Sequence, residues 1–340
     1  MTSLMRSEAL ESPGVAERLL RLAPGRLAPV IAALRAAPPR AVLTVARGSS
    51  DHAASFLAYL IMQRTGRLVT SLPMSLATLY DAPLDVAGAL AVAISQSGQS
   101  PDITGTMRIL RARGARGLAL LNVTASPLAQ ECDWMLPLEA GAEKSVAATK
   151  SCLAALALSA AFVAAWHGDA ALTETLGALP QCLHGAARAA SAAFTDTLAP
   201  AQRVLVAARG PGLAVAQEAA LKLKETCALQ AEAFSGAELR HGPMALIERD
   251  YPLIIFATRG PAFESLLTLA DDMGAKGARV LLIAPEGTRG ACVTFPAAAD
   301  PVLDPLPALL AFYLCAEQLA RARGLNPDVP RHLNKVTLTR

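Results

Sequence analysis

Residues 41–50 read AVLTVARGSS and residues 51–64 continue DHAASFLAYLIMQR. The first six residues are a short apolar run rich in valine and leucine, the composition of a strand buried on both faces. Arg47-Gly48-Ser49-Ser50 is a tight turn, and the residues after it have helical spacing. The same order recurs downstream. Residues 90–94 run into Ser95-Gln96-Ser97-Gly98-Gln99-Ser100 and a helix from 102 to about 113, and residues 117–121 make a third strand. Strands alternating with helices of this length predict an α/β fold with a doubly wound parallel sheet.

The unit is used twice. LTVARG at 43–48 returns as LVAARG at 205–210, ISQSG at 94–98 aligns with FATRG at 256–260, and RGARGLALL at 113–121 aligns with KGARVLLIA at 276–284, at offsets of 162, 162 and 163 residues. A near-constant offset at three markers predicts two tandem flavodoxin-like domains. Residues 1–194 hold an N-terminal helical arm (helical pattern over 5–36, with Pro13 near a helix start), the first domain and the connecting helices; residues 195–340 hold the second domain and the tail. Ligands of open α/β sheets bind outside the carboxyl ends of the strands. There the first copy carries Ser49, Ser50, Ser95, Ser97 and Ser100, and the second carries Gly210-Pro211-Gly212 and Thr258-Arg259-Gly260-Pro261. Hydroxyls beside a helix N-terminus suit a phosphate, so the first copy is the one expected to take an anion. Serine and glycine are also ordinary turn and N-cap residues.

The chemistry concentrates in residues 218–243, EAALKLKETCALQAEAFSGAELRHGP. Glu218, Lys222 and Glu225 stand at i, i+4 and i+7, so a helix over 217–226 projects all three from one face. A solvated face of ion pairs is the alternative reading of that spacing. Glu225 is the candidate base: a carboxylate closed off from water moves a proton between adjacent carbons. Lys222 would hold it ionised or stabilise an enediolate oxygen. His241, before Gly242-Pro243, suits proton exchange with a sugar ring oxygen. His52 reads as a capping or packing residue, and Lys335 lies in a tail that by position alone should fray.

Composition limits the classes. With 340 residues and 53% hydrophobic side chains, the chain has material for two folded domains. A net charge of +3 without a basic stripe excludes nucleic acid as the expected partner, while small anions remain. The opening MTSLMRSEALESPG lacks the apolar centre of a secretory leader, so a cytoplasmic location is expected. The apolar run at 153–166 is shorter than the roughly 20 residues of a membrane span and reads as a buried helix, so no membrane partner is expected. Cys132, Cys152, Cys182, Cys227, Cys292 and Cys315 form no CxxC pair, and no His/Asp/Glu cluster accompanies them, so no disulfide framework, metal or cofactor is expected.

Several separate motifs resemble the double SIS-domain (sugar isomerase) family, in particular the isomerase half of glutamine-dependent glucosamine-6-phosphate synthase and SIS-type glucosamine-6-phosphate deaminases. SQSGQS at 95–100 resembles the family's phosphate loop, which implies Ser95, Gln96, Ser97 and Ser100, with Ser50, as ligands of a sugar 6-phosphate. KSVAATK at 144–150 resembles a sugar-binding motif usually read VASTK; Ala148 replaces its serine, and Val146 and Thr149 remain. The LKLKE run implies Glu225 as isomerisation base with Lys222 beside it, and Glu218 as a neighbouring substrate contact. HGP resembles the ring-opening motif, assigning that role to His241 and implying a homodimer with a shared site. PRHLNK resembles PRNLAK and makes Lys335 similar to a lysine that bonds the substrate carbonyl. The synthase's glutaminase nucleophile is a cysteine after the initiator methionine, whereas residue 2 here is Thr2 and residues 5–13 resemble the start of the isomerase half. The expected reaction is therefore deamination of D-glucosamine 6-phosphate to D-fructose 6-phosphate and ammonia. The alternatives are a galactosamine-6-phosphate deaminase, a fructosamine-phosphate deglycase, an ammonia-dependent synthase and a non-catalytic sugar-phosphate sensor.

Overall fold

The computed structural model describes residues 2–335. An arm of α1 (Leu4–Leu10) and α2 (Ser12–Ala36) precedes β1 (Val42–Val45), α3 (Ser49–Thr65), β2 (Val69–Ser71), α4 (Ser75–Thr78), β3 (Leu90–Ser95), α5 (Pro101–Ala112), β4 (Arg116–Leu121), α6 (Pro127–Gln130) and β5 (Trp134–Pro137). Helices α7 (Lys150–His167), α8 (Ala170–Leu176), α9 (Leu179–Ala186) and α10 (Ala192–Leu198) lead to β6 (Arg203–Ala208), α11 (Gly212–Cys227), β7 (Gln230–Ser235), β8 (Pro252–Phe256), α12 (Phe263–Ala275), β9 (Arg279–Pro285), β10 (Ala291–Phe295) and α13 (Pro305–Ala322).

Each sheet has five parallel strands, in the order β2-β1-β3-β4-β5 and, for the second, β7-β6-β8-β9-β10. The duplication extends to register: Leu43 faces Ala91 as Leu205 faces Leu253, and Val45 faces Ala93 as Ala207 faces Ile255. Central strands β1, β3 and β8 are buried at every position, which their uninterrupted apolar runs require. The chain order reverses between β1 and β3 and again between β6 and β8, the positions where open α/β sheets bind ligands.

Three readings from sequence are refined. The helical pattern over 5–36 resolves into two helices that meet at Glu11; Ser3 caps the first, and Pro13, which has no N–H, sits in the first turn of the second, at the helix start its position predicted. The helix expected over 217–226 begins earlier, at Gly212, and ends at Ala228 in the left-handed region (φ 49°). The tail does not fray at Lys335, whose ammonium lies 2.9 Å from Glu143.

One apolar cluster runs from β1 and β3 through α2, α7, α11 and α13 to β6 and β8. Among the described residues, the segments 150–167 and 301–322 are long and apolar enough to cross a membrane, and both are buried in this core. Phe312 stands 5.7 Å from Phe256 and 6.1 Å from Phe194, centroid to centroid. Truncating such a ring costs about 3–5 kcal/mol.

Candidate functional site

The loops after β1 and β3 are neighbours because their strands are. The Arg47 guanidinium lies 2.9 Å from Asp102, which also accepts from the Ser100 hydroxyl at 2.7 Å, so the two loops are tied together. Gly98 has φ +62° and lies so close to Ser126 that a Cβ would stand 2.2 Å from its Oγ; only glycine fits. Ser95 Oγ accepts from the Gly98 amide and Ser97 Oγ from the Gln99 amide, which shapes the loop. Among the described residues the Ser126 hydroxyl is buried without a partner behind this loop. Ser50 sits in the first turn of α3, half-buried, at the helix end that favours an anion.

The segment 143–150 is held from three directions. Glu143, fully buried, accepts from the Thr149 and Ser151 amides at 3.0 and 3.1 Å and from the Ser151 hydroxyl at 2.6 Å, capping α7. Burial alone would raise its pKa, but the Lys335 charge and these donors outweigh that and hold the carboxyl below its ordinary range. Glu8 of α1 accepts from the Lys144 and Ser145 amides, and Lys150 reaches Glu11 at 2.6 Å. Asp328 joins arm, loop and tail: its carboxylate accepts from Leu4 and Met5, and its carbonyl accepts from Val146. Among the described residues Thr149 Oγ1 and Ser145 Oγ are buried with no partner, so two hydroxyls in the 143–150 segment have unused hydrogen-bonding capacity.

Across from these loops, α11 carries a buried charge chain. Glu218 and Lys222 are each 1% exposed, and Lys222 Nζ stands 3.4 Å from Glu218 Oε1 and in hydrogen-bond contact with Glu225 Oε2. Glu218 also accepts from Tyr313 Oη at 2.9 Å and from His52 Nδ1 at 2.9 Å. Burial pushes the Glu218 pKa up, but Lys222 and His52 outweigh it and keep the carboxyl ionised. An ionised Glu218 requires the proton on His52 Nδ1. The two carboxylates raise the Lys222 pKa in spite of its burial, and burial raises the Tyr313 pKa far above the ordinary phenol value. The chain of contacts His52–Glu218–Lys222–Glu225 therefore runs from the first turn of α3 in one half to the far end of α11 in the other.

Glu225 is the wet end of that chain, 21% exposed. It borders a crevice of about 290 Å³ whose other wall is the tail at Pro330, Arg331 and His332, which brings the segment bearing Lys335 to the same region. His241 is elsewhere: it ends a short turn (Glu238–His241) and lines a separate crevice with Arg209, Arg240 and Ser265. Within one chain the structure thus joins Glu218, Lys222 and Glu225, and joins Lys335 to the segment of Val146 and Thr149, but leaves His241 apart. Sequence reasoning missed Glu143, Tyr313 and the contact made by His52. Nothing local marks them, because their partners lie 8, 95 and 166 residues away.

The fold and site define a duplicated α/β protein with a polar site where its halves meet. The chain belongs to the SIS domain family, which matches residues 37–165 and 197–289. Glutamine–fructose-6-phosphate aminotransferase (isomerizing) of Zymomonas mobilis is 35% identical over 312 residues, covering 86% of this chain and 51% of that protein. The chain spans about half the length of the curated relatives it matches. A crystal structure from Silicibacter pomeroyi DSS-3, provisionally assigned as a phosphosugar isomerase, superposes with TM-score 0.90 at 39% identity over 96% of this chain and 100% of that one. Glucosamine-6-phosphate deaminase of Thermotoga maritima shares the fold, with TM-score 0.78 at 22% identity over 99% and 100% of the two chains.

Proposed function

We propose that the chain is an amino-sugar phosphate deaminase and aldose–ketose isomerase that converts D-glucosamine 6-phosphate and water to D-fructose 6-phosphate and ammonia. Ser50, Ser95, Gln96, Ser97 and Ser100 would hold the phosphate, with Val146, Thr149 and Glu218 lining the sugar. His241 opens the ring. Glu225 takes the proton from C2 of the open-chain amino aldehyde and returns it at C1, leaving an imine at C2. Water adds to that carbon and ammonia leaves, while Lys222 steadies the enol oxygen and Lys335 the carbonyl. None of these three steps calls for a cofactor. The observation that carries this reading is a buried lysine gripping one carboxylate that reaches solvent, Glu225, in a chain whose other half presents a hydroxyl-lined phosphate loop. The name of the Zymomonas relative, which places fructose 6-phosphate in its reaction, supports the substrate class. Because His241 lies apart from Glu225 in one chain, we place it in the partner's site of a homodimer, and we assign the protein to the cytoplasm.

The test is ammonia release from glucosamine 6-phosphate, with galactosamine 6-phosphate and fructosamine phosphates as comparators. Glu225→Gln should lower kcat by about 10²–10⁴-fold and keep sugar-phosphate binding. Mixing inactive Glu225→Gln and His241→Asn chains should restore part of the activity if the site is shared. An unchanged rate in Glu225→Gln overturns the assignment, and binding by the wild type without turnover makes the protein a sensor.

A further inference from the structure

We propose that the strand-end crevice of the second domain, between β6 and β8, is a second binding site for a phosphate monoester, and that it reports to the catalytic helix. The crevice, about 500 Å³, is of small-molecule size. By loop sequence alone the second copy lacks the serines of the first, but the folded crevice recruits its polar groups from both halves. Tyr59, Gln63 and Arg64 come from α3 of the first domain, and Arg209, Thr258 and Arg259 come from the ends of β6 and β8.

The observation that points to a ligand is Thr258. It is 4% exposed and lines the crevice, yet its hydroxyl makes no hydrogen bond among the described residues. It faces the start of α11, where a Cβ on Gly212 would stand 3.0 Å from its Oγ1. The guanidinium groups are graded. Arg259 is fixed by Asp304, and Arg64 by Asp169 and Asp300, with the Arg64 Nε buried and unpartnered. Arg209 makes no ion pair or hydrogen bond among the described residues and supplies the uncompensated charge. Pro211 and Ala262, which precede α11 and α12, also line the crevice, and neither helix has a side-chain cap. A tetrahedral dianion at this point would meet the free guanidinium, the idle hydroxyl and the amides of two helix starts together.

The two helices that form this crevice also form the other site. Helix α3 begins at Ser49 and Ser50 and ends beside Arg64; α11 begins here and carries Glu218, Lys222 and Glu225 further along. At 1.5 Å per residue, Arg64 is roughly 20 Å along α3 from Ser50. An anion drawing Arg64 and the α11 start together therefore acts on the same two rigid bodies that the His52–Glu218 contact joins.

The experiment is calorimetric titration of inorganic phosphate and of fructose 6-phosphate into the wild type, Arg209→Ala, Thr258→Val and Ser97→Ala proteins, each checked for an unchanged near-ultraviolet spectrum. The expected result is a binding event weakened at least tenfold by Arg209→Ala and by the isosteric Thr258→Val but not by Ser97→Ala, beside a second event with the opposite pattern. Phosphate at the Thr258-dependent site should change kcat for the amino sugar in the wild type and leave kcat unchanged in Thr258→Val, whereas competition at the Ser97-dependent site raises KM in both. Titrations that neither Arg209→Ala nor Thr258→Val alters overturn the proposal. If Ser97→Ala instead weakens neither event while the Arg209- and Thr258-dependent event persists, the phosphate loop assigned above is overturned and the second site is not, so the two failures are distinguishable.

Discussion

Replacing Lys222 with methionine removes the ammonium shared by Glu218 and Glu225. Lys222 and Glu218 are each 1% exposed, so the variant leaves a buried carboxylate facing Tyr313 and His52 without its main counter-charge. Removing one partner of a buried ion pair costs about 3–5 kcal/mol. An unfolding entropy of about 2.1 cal/mol/K per residue, over 340 residues, is roughly 0.7 kcal/mol/K, so Tm should fall by about 4–7 °C. The loss should depend on pH. With Lys222 present, Glu218 is held below its ordinary pKa, and its contribution persists until the pH falls through that lowered value. Without Lys222, burial dominates and the folded pKa of Glu218 rises, so the stranded charge destabilises most at alkaline pH and is relieved as it takes up a proton on acidification. Scanning calorimetry at pH 8 and pH 6 should therefore show a smaller gap at pH 6. Glu218→Gln in the same chain should restore more than half of the loss. A gap below 1 °C at both pH values, or no recovery in the double variant, would refute the picture of a dehydrated charge chain.

Three further outcomes follow from the same structure. Glu143→Gln should cost about 2–3 kcal/mol and speed tryptic cleavage after Lys335, because it removes a buried charged acceptor; the wild-type advantage, full above the ordinary glutamate pKa, should shrink in urea titrations below that pH and vanish once the depressed folded value is passed. Gly98→Ala should cost about 1–3 kcal/mol and raise KM for the sugar phosphate, and Ser126→Gly should restore only part, since it clears the contact but leaves φ at +62°. Burial raises all six thiols, to about 12 for Cys132, Cys182 and Cys315, about 11 for Cys227 and Cys292, and further for Cys152, so at pH 7.5 the native protein should show no fast reaction with a disulfide reagent and all six should titrate in guanidinium.

The strands that run through the middle of each sheet were legible because burial on both faces forces uninterrupted valine, leucine and alanine, and the 162-residue repeat made one reading serve for two. Edge strands β2 and β5, three and four residues long and partly exposed, carry no such constraint and left no signal. In α11 the i, i+4, i+7 spacing showed that Glu218, Lys222 and Glu225 share a face. It did not show whether that face met water, and the answer depends on Tyr313, which arrives from α13 nearly a hundred residues later. Gly210-Pro211-Gly212 reads as a loop, yet Gly212 starts the helix, because proline N-terminal to a helix has no amide to waste. The grip of Glu8, Glu143 and Asp328 on the 143–150 segment was illegible for a simpler reason: a lone acid among alanines looks solvated until its long-range partner amides are known.

Helix α7 is apolar on nearly every side, and part of its surface rests on α13. During synthesis that cover arrives late. With about 140 residues between them and translation at about 5–20 residues per second, roughly 7–30 s pass before synthesis reaches α13. Throughout that interval α2 and α3, already made, can cover most of α7, and only the strip destined for α13 stays open to solvent.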